Sequence, residues 1–404
     1  MDIRSITLFA DADAQPATFA PFLREARHAF PLNVQTLRLA TPPFPTWLPA
    51  DDDHMEATAA NFAQTWQDAG IDYISFGPVQ LTHDATWLDR IPTLIAAADP
   101  IFASAAISDL AGNVDVGRCH HIARIIRRNS TLQANGFGNL YFAALAHCPP
   151  GSPFFPVAYH RGGQAHFAVA VESADIALRA VRGADSLTDA RQRLVAAIEQ
   201  EADRIMTATA ALTRQFGLPC GGIDFSLAPF PTDEHSLGGA LEALGLAYIG
   251  GPGSLFAAAF VTEAINRARF PRRGFSGLML PVLEDSVLAR RAAEGHLTIT
   301  DLLSYAAVCG VGLDTIPLAG DVREGEIAGI LLDLAALSAR LRKPLTARLM
   351  PLPGLSAGDP VTFDFPYFAG SRVMPSPGPG VSGLLAHPTR LQMQHRIEWS
   401  VDSG

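Results

Sequence analysis

The chain has 404 residues, 48% of them hydrophobic and 17% charged, which is enough apolar material for a large buried core. A formal net charge of -10 without any block of Lys and Arg argues against nucleic acid as the main partner, because phosphate binding needs a basic face; a small molecule is expected instead. The four cysteines, Cys119, Cys148, Cys220 and Cys309, are widely spaced and form no CxxC pair, so neither a disulfide framework nor a thiolate zinc site is indicated, and a reducing cytoplasm fits best.

The opening MDIRSITLFADA reads as a strand and lacks the layout of a signal peptide, and no apolar run is long enough to span a bilayer, so no membrane partner is expected. Ile3 to Leu8 is a strand pattern, Ala17 to Phe30 has helical spacing, and Asn33 to Leu39 is again strand-like, a β-α-β opening. A helix over Ala57 to Ala69, a strand over Asp72 to Phe76, a helix over Trp87 to Ala98 and a strand over Ile101 to Ile107 continue the alternation. Such alternation predicts a mainly parallel sheet covered by helices, either a barrel or a doubly wound sheet.

His120 and His121 open a helix whose arginines make a solvated basic face. The segment Cys148 to Gly163, CPPGSPFFPVAYHRGG, is too rich in Pro and Gly to be regular and too apolar to hang in water. It is expected to be an ordered loop packed on the body, with His160 and Arg161 at a tip able to bind an anion. Phe167 to Val171 reads as a strand, Ser173 as a helix N-cap, and Leu187 to Phe216 as a long amphipathic helix. Gly221 to Ser236 carries Asp224 and Ser226 on a buried strand, followed by a proline-ruled loop with Asp233, Glu234 and His235. Three glycines in Ile249 to Leu255 precede a helix, so the amides around Gly251, Gly253 and Ser254 are candidates for holding a carboxylate or phosphate. Gly274 to Ser286 ends in Glu284 and Asp285, which either cap the next helix or face a site. Ser304 to Asp321, SYAAVCGVGLDTIPLAGD, runs from a helix end through glycines into a short strand, delivering the Cys309 thiol and the Asp314 carboxylate five residues apart. A helix over Arg323 to Arg340, a strand over Thr346 to Met350 and a glycine-turned segment from Phe368 to Met374 follow; the SPGPGVSG run beyond Pro375 reads as a flexible link to a polar tail.

The stretches DIRSITL, CPPGSPFFPVAYHRGG, IDFSLAPFPTDEHS, PVLED, VCGVGLDTIPLAGD and FAGSRVM, in that order over roughly the first 375 residues, together resemble the Domain of Unknown Function 711 family, also called UPF 0210. The resemblance implies a ten-stranded α/β barrel like that of the glycyl radical enzymes, with covering helices and a loop entering the barrel. It would occupy residues 1–375 as a single domain, leaving 376–404 as a flexible C-terminal tail. The chain departs from the family's usual wording at Phe230, at Ala319 and in PYFAGS. Arg372-Val373-Met374-Pro375 lacks the glycine that a radical loop needs, so chemistry without a glycyl radical is expected.

Two functions are consistent with these features. An enzyme acting on a small anionic or carbonyl-containing metabolite would use Cys309 as nucleophile or acid and Asp314, Asp224 and His235 for proton transfer. Ser226, Gly251, Gly253 and Ser254, or His160 and Arg161, would hold its ligand. A ligand-binding or sensing protein would keep the pocket without a reactive thiol. In either case a divalent cation such as magnesium, calcium or manganese is a candidate cofactor, with Asp233 and Glu284 as ligands. Because a parallel barrel opens all its strand carboxyl ends on one face, these groups are expected to converge on one pocket. The low charged fraction and many apolar helices lead to the expectation of a homodimer.

Overall fold

A computed structural model describes residues 1–395. The main sheet is built from β1 (Asp2–Phe9), β2 (Val34–Ala40), β3 (Tyr73–Val79), β4 (Ile101–Ser108), β5 (Asn113–Asp115), β6 (Phe142–Ala146), β7 (His166–Glu172), β8 (Cys220–Ala228), β9 (Gly312–Ala319) and β10 (Leu345–Leu352), with helices between most of them. Its path is β8-β7-β1-β2-β3-β4-β6-β10-β9, with β5 paired to the end of β4. The strands are rich in Val, Ile, Leu, Phe and Ala and buried on both faces, as strands covered on one side and filled on the other must be.

The α/β expectation therefore holds, but two features differ from a simple parallel barrel. Strands β1, β2, β3, β4 and β6 run parallel to one another, as do the pairs β7–β8 and β9–β10, yet β1 meets β7 and β6 meets β10 antiparallel. Two half-sheets thus run in opposite directions, and their carboxyl ends lie at opposite ends of the molecule. The expected ten-stranded closed ladder is also not formed: the sheet is open between β8 and β9. The segment 272–283 lies in that gap and meets each edge through a single parallel bridge, Ile223 with Arg272 and Pro281 with Asp314. Pro271 and Pro281 lack the N–H that a ladder needs, and Ser276 sits at φ 40°, so this segment cannot pair along its length.

The outer face of the sheet packs under helices in one large apolar core that includes Ile3, Phe22, Trp66, Ile74 and Phe225. The longest helix, Leu187–Phe216, is capped by Ser186, whose Oγ accepts from Asp189 N at 3.1 Å, and stops at Gly217 in the left-handed conformation, φ 68°. On the inner face the strands carry small residues: Ser5 and Thr7 on β1, Ser75 on β3, Ala143 on β6, Ala168 and Ala170 on β7. The space they leave is filled by the segment Cys148 to His160, the ordered loop expected from its composition. Thr7 Oγ1 donates to Pro153 O at 2.9 Å and Ser75 Oγ to Ala158 O at 2.6 Å, while Phe154 packs on Ala170 and Ala228. Hydroxyls on the strands thus satisfy loop carbonyls that no ladder could reach.

Beyond Pro375 the chain does not leave the body at once. Arg390–Gln392 pairs antiparallel with β5, and Arg390 Nη2 lies 3.0 Å from Asp115 Oδ2, because the short β5 presents a free edge. The rest of the expected tail, 396–404, lies outside the described residues.

Candidate functional site

At the amino ends of β1, β2, β3, β4 and β6 the inner face opens into a cavity of about 100 Å³. Three arginines enter it, one from each of three strands: Arg4 of β1, Arg38 of β2 and Arg348 of β10. Two of them stand at irregularities in pairing. The register of β1 against β7 slips between Ile3 and Ser5, and that of β10 against β9 between Ala347 and Leu349. Opposite the second slip, Thr315 takes φ 46°, next to Asp314. Bulges turn side chains off the regular alternation, and here they aim Arg4, Arg348 and Asp314 inward.

The charges are matched unevenly. Arg348 donates from Nε to Asp314 Oδ1 at 2.6 Å and from Nη2 to Glu284 Oε1 at 2.6 Å. Arg4 bonds the other oxygen of Glu284 and reaches Glu172 at 3.3 Å. Arg38 has no carboxylate: among the described residues its one hydrogen-bond acceptor is Thr36 Oγ1, 2.9 Å from Nε. The rings of Tyr73 and Phe155 lie against it, with centroids 5.6 and 5.1 Å from its central carbon. Burial, reinforced by the positive charge of Arg4, brings the Arg38 pKa down to about 9, so it remains a cation at neutral pH although only 8% exposed.

The two carboxylates on Arg348 are not equivalent. Burial pushes both toward the neutral form, but Glu284 is held by two guanidiniums and stays below the usual glutamate value. Asp314 is pushed up by burial; it has Arg348 to offset this and the charge of Glu284 against it, and its pKa ends above the usual aspartate value. A proton entering this network goes to Asp314. Aromatic side chains close the rest of the chamber. Phe102 makes edge-on pairs with Tyr73, Tyr141 and Phe155, and Phe365 and Tyr367 cover it from the late segment.

Of the residues singled out from sequence, Asp314 and Glu284 line this chamber and the others do not. Cys309 lies in the apolar core before β9, 2% exposed, and burial pushes its thiol up to about 11, an environment that disfavours the thiolate. Asp224 is buried and accepts from the backbone N–H of Phe275 at 2.7 Å and of Ser276 at 2.9 Å, and from the hydroxyl of Ser226. This pair anchors the irregular segment 272–283 to β8. His235 bonds Thr232 Oγ1 at 3.1 Å, and Asp233 accepts from Ser286 Oγ at 2.6 Å on the surface. His160 is buried beside Asp11, and Arg161 is exposed by a separate cavity with Cys148 and Arg273, at the end of the sheet away from the chamber. Ser254 Oγ donates to Gly251 O at 2.7 Å, closing the Gly251–Gly253 turn on itself outside the chamber.

The candidate metal ligands Asp233 and Glu284 are separated, with Glu284 engaged by two arginines. Among the described residues no three His, Cys, Asp or Glu side chains come together to hold a metal ion. The groups do not converge because each is held elsewhere by its own neighbours: Cys309 in the core before β9, Asp224 and Ser226 on segment 272–283, and Asp233 and His235 in the turn after β8. Asp285, in contrast to its neighbour, points away: it caps the helix Ser286–Ala293 through Val287 N at 3.0 Å and also accepts from Leu237 N at 2.6 Å. Arg4, Arg38 and Arg348 were not singled out from sequence, although Arg38 and Arg348 are each the lone charge of an apolar strand and Arg4 shares its strand only with Asp2, which is a recognisable sign of an inward polar site.

A mixed α/β sheet curled round an internal loop, with an arginine-rich and aromatic chamber on its inner face, defines the class of protein. The chain belongs to the family described as Uncharacterised ACR (DUF711), which it matches over residues 1–369. It is 39% identical to a UPF0210 protein of Pyrobaculum arsenaticum over 229 residues, 54% of this chain and 50% of that protein, so there the chain spans about half the length of the relative it matches. A UPF0210 protein of Carboxydothermus hydrogenoformans is 30% identical over 318 residues, 74% of this chain and 69% of that protein. One from Methanopyrus kandleri is 31% identical over 309 residues, 72% of this chain and 68% of that protein. No helix of the described residues is long and apolar enough to cross a membrane.

Proposed function

We propose that the chamber binds a small anionic metabolite on Arg38 and that Asp314 exchanges a proton with it, which makes the protein an enzyme working by acid–base rather than glycyl radical chemistry. The observation that carries this reading is Arg38 itself: a buried guanidinium with no carboxylate partner among the described residues, facing a cavity. Burying an unpaired charge is costly, and a ligand carboxylate or phosphate is the group that would offset the cost. Asp314 supplies the second half. Burial raises its pKa above that of an ordinary aspartate, the direction that suits a carboxyl taking and returning a proton, and Arg348 holds it in place and stabilises its ionised form.

The test has two stages. Calorimetry with a panel of metabolite anions should find binding that weakens at least about tenfold in Arg38→Met, the loss expected for one charge-assisted hydrogen-bonding group. For an anion so found, proton NMR in heavy water should show exchange of a substrate C–H with the wild type and none with Asp314→Asn, which still binds. Binding without exchange in the wild type would leave a ligand-binding protein and refute the enzyme. Anion binding indifferent to Arg38 would refute the site.

A further inference from the structure

We infer that the ligand of the chamber is a flat monocarboxylate with a small apolar body, of about the size of one ring; this rests on the reading of Arg38 as the anion-binding group.

Charge comes first. Three carboxylates, Glu172, Glu284 and Asp314, equal the three guanidiniums in number, but all of them sit on Arg4 and Arg348, so among the described residues Arg38 is the guanidinium of the chamber that touches no carboxylate and is open to a ligand. A ligand with a single negative charge neutralises it. A second carboxylate, or a phosphate dianion, would add negative charge beside Glu284 and Asp314 with no free cation to receive it, and like charges at close range in a poorly solvated site repel strongly.

Shape is the second argument. Tyr73 and Phe155 pack on the Arg38 guanidinium and Thr36 occupies its Nε edge. The Nη edge is what remains for hydrogen bonding, and two parallel N–H donors in one plane match the two oxygens of a carboxylate.

Size and polarity are the third. A cavity of about 100 Å³ holds on the order of three waters, at about 30 Å³ each. Such a space, somewhat smaller than the roughly 150 Å³ that holds a benzene, takes a carboxylate and most of one small apolar group or ring, the rest standing at its open side. Away from the arginines Phe102, Leu140, Met279 and Phe365 offer apolar contact and ring edges, with Gln35 and the hydroxyls of Tyr73, Tyr141 and Tyr367 as the neutral polar groups of the wall.

The experiment measures the affinities of acetate, benzoate, benzamide, isophthalate and inorganic phosphate for the full chain by calorimetry, with wild type, Arg38→Met and Arg38→Lys. Benzoate is expected to bind at least about tenfold more tightly than acetate and than isophthalate or phosphate, with benzamide not binding. Arg38→Met should abolish benzoate binding, and Arg38→Lys should retain it weakly. Arg38-dependent binding of acetate or phosphate with no gain for benzoate overturns the monocarboxylate inference while leaving Arg38 an anion site. Binding of none of these anions, or binding unaffected at Arg38, overturns the anion site and this inference together. If Arg38→Met fails to fold, the wild-type order of benzoate, acetate, benzamide and isophthalate still decides between the outcomes.

Discussion

Replacing Arg38 by Met should make the ligand-free protein more stable, an unusual sign for the loss of a buried, well-packed side chain. Folding lowers the guanidinium pKa from its ordinary value to about 9. Each tenfold change in proton affinity is worth about 1.36 kcal/mol, so keeping this charge inside costs about 5 kcal/mol relative to the unfolded chain. Water in the chamber relaxes part of that cost, and Met fills a similar volume against Tyr73 and Phe155. The expected net gain is about 1–4 kcal/mol, the range seen when buried charges are replaced by apolar groups. Because the folded-state pKa is lowered, both folded and unfolded states carry the proton below pH 9. The cost is then constant across pH 6–8 and fades only as pH rises above about 9 toward the ordinary arginine value. Urea titration followed by circular dichroism at pH 6, 7 and 8 should therefore give the same difference at each pH. Saturating benzoate should shrink or reverse it, since only the wild type gains from ligand. A variant less stable than wild type by more than about 1 kcal/mol would mean that the protein itself satisfies Arg38, and the reasoning from an unpaired charge would fall.

Arg348→Met, a change of the same chemistry in the same chamber, should have the opposite effect: it leaves Asp314 and Glu284 facing each other without their shared cation and should destabilise by about 3–5 kcal/mol in the same urea titration. Cys309 should resist iodoacetamide in the native protein at pH 8 and react once unfolded, because its thiol is buried and pushed up to about 11. Mass spectrometry of the labelled peptide checks this, and rapid native labelling would show an activated thiol.

How much of this was legible in the sequence depends on the range of the interaction responsible. Local patterns determined the elements: β-branched runs made β1 and β9, Ser186 and Gly217 bounded the long helix, and the Pro and Gly content of the Cys148 to His160 segment marked an ordered loop. Composition and spacing also brought Asp314 and Glu284 into view, since carboxylates in buried strand patterns need a reason to be there. Three things were decided only by tertiary structure. Strand direction was one: nothing local tells β7 to run against β1, and that reversal brings Glu172 at the carboxyl end of β7 to the amino end of β1, where the chamber opens. Closure was another, because segment 272–283 meets both sheet edges only where its prolines permit, giving an open sheet in place of a barrel ladder. The third was the pairing of charges. Arg4, Arg38 and Arg348 look alike in sequence, each the one cation of an apolar strand. Which of them is left without a carboxylate follows from distances of a few ångströms between residues up to 280 positions apart, which bulges and register set and no local propensity encodes.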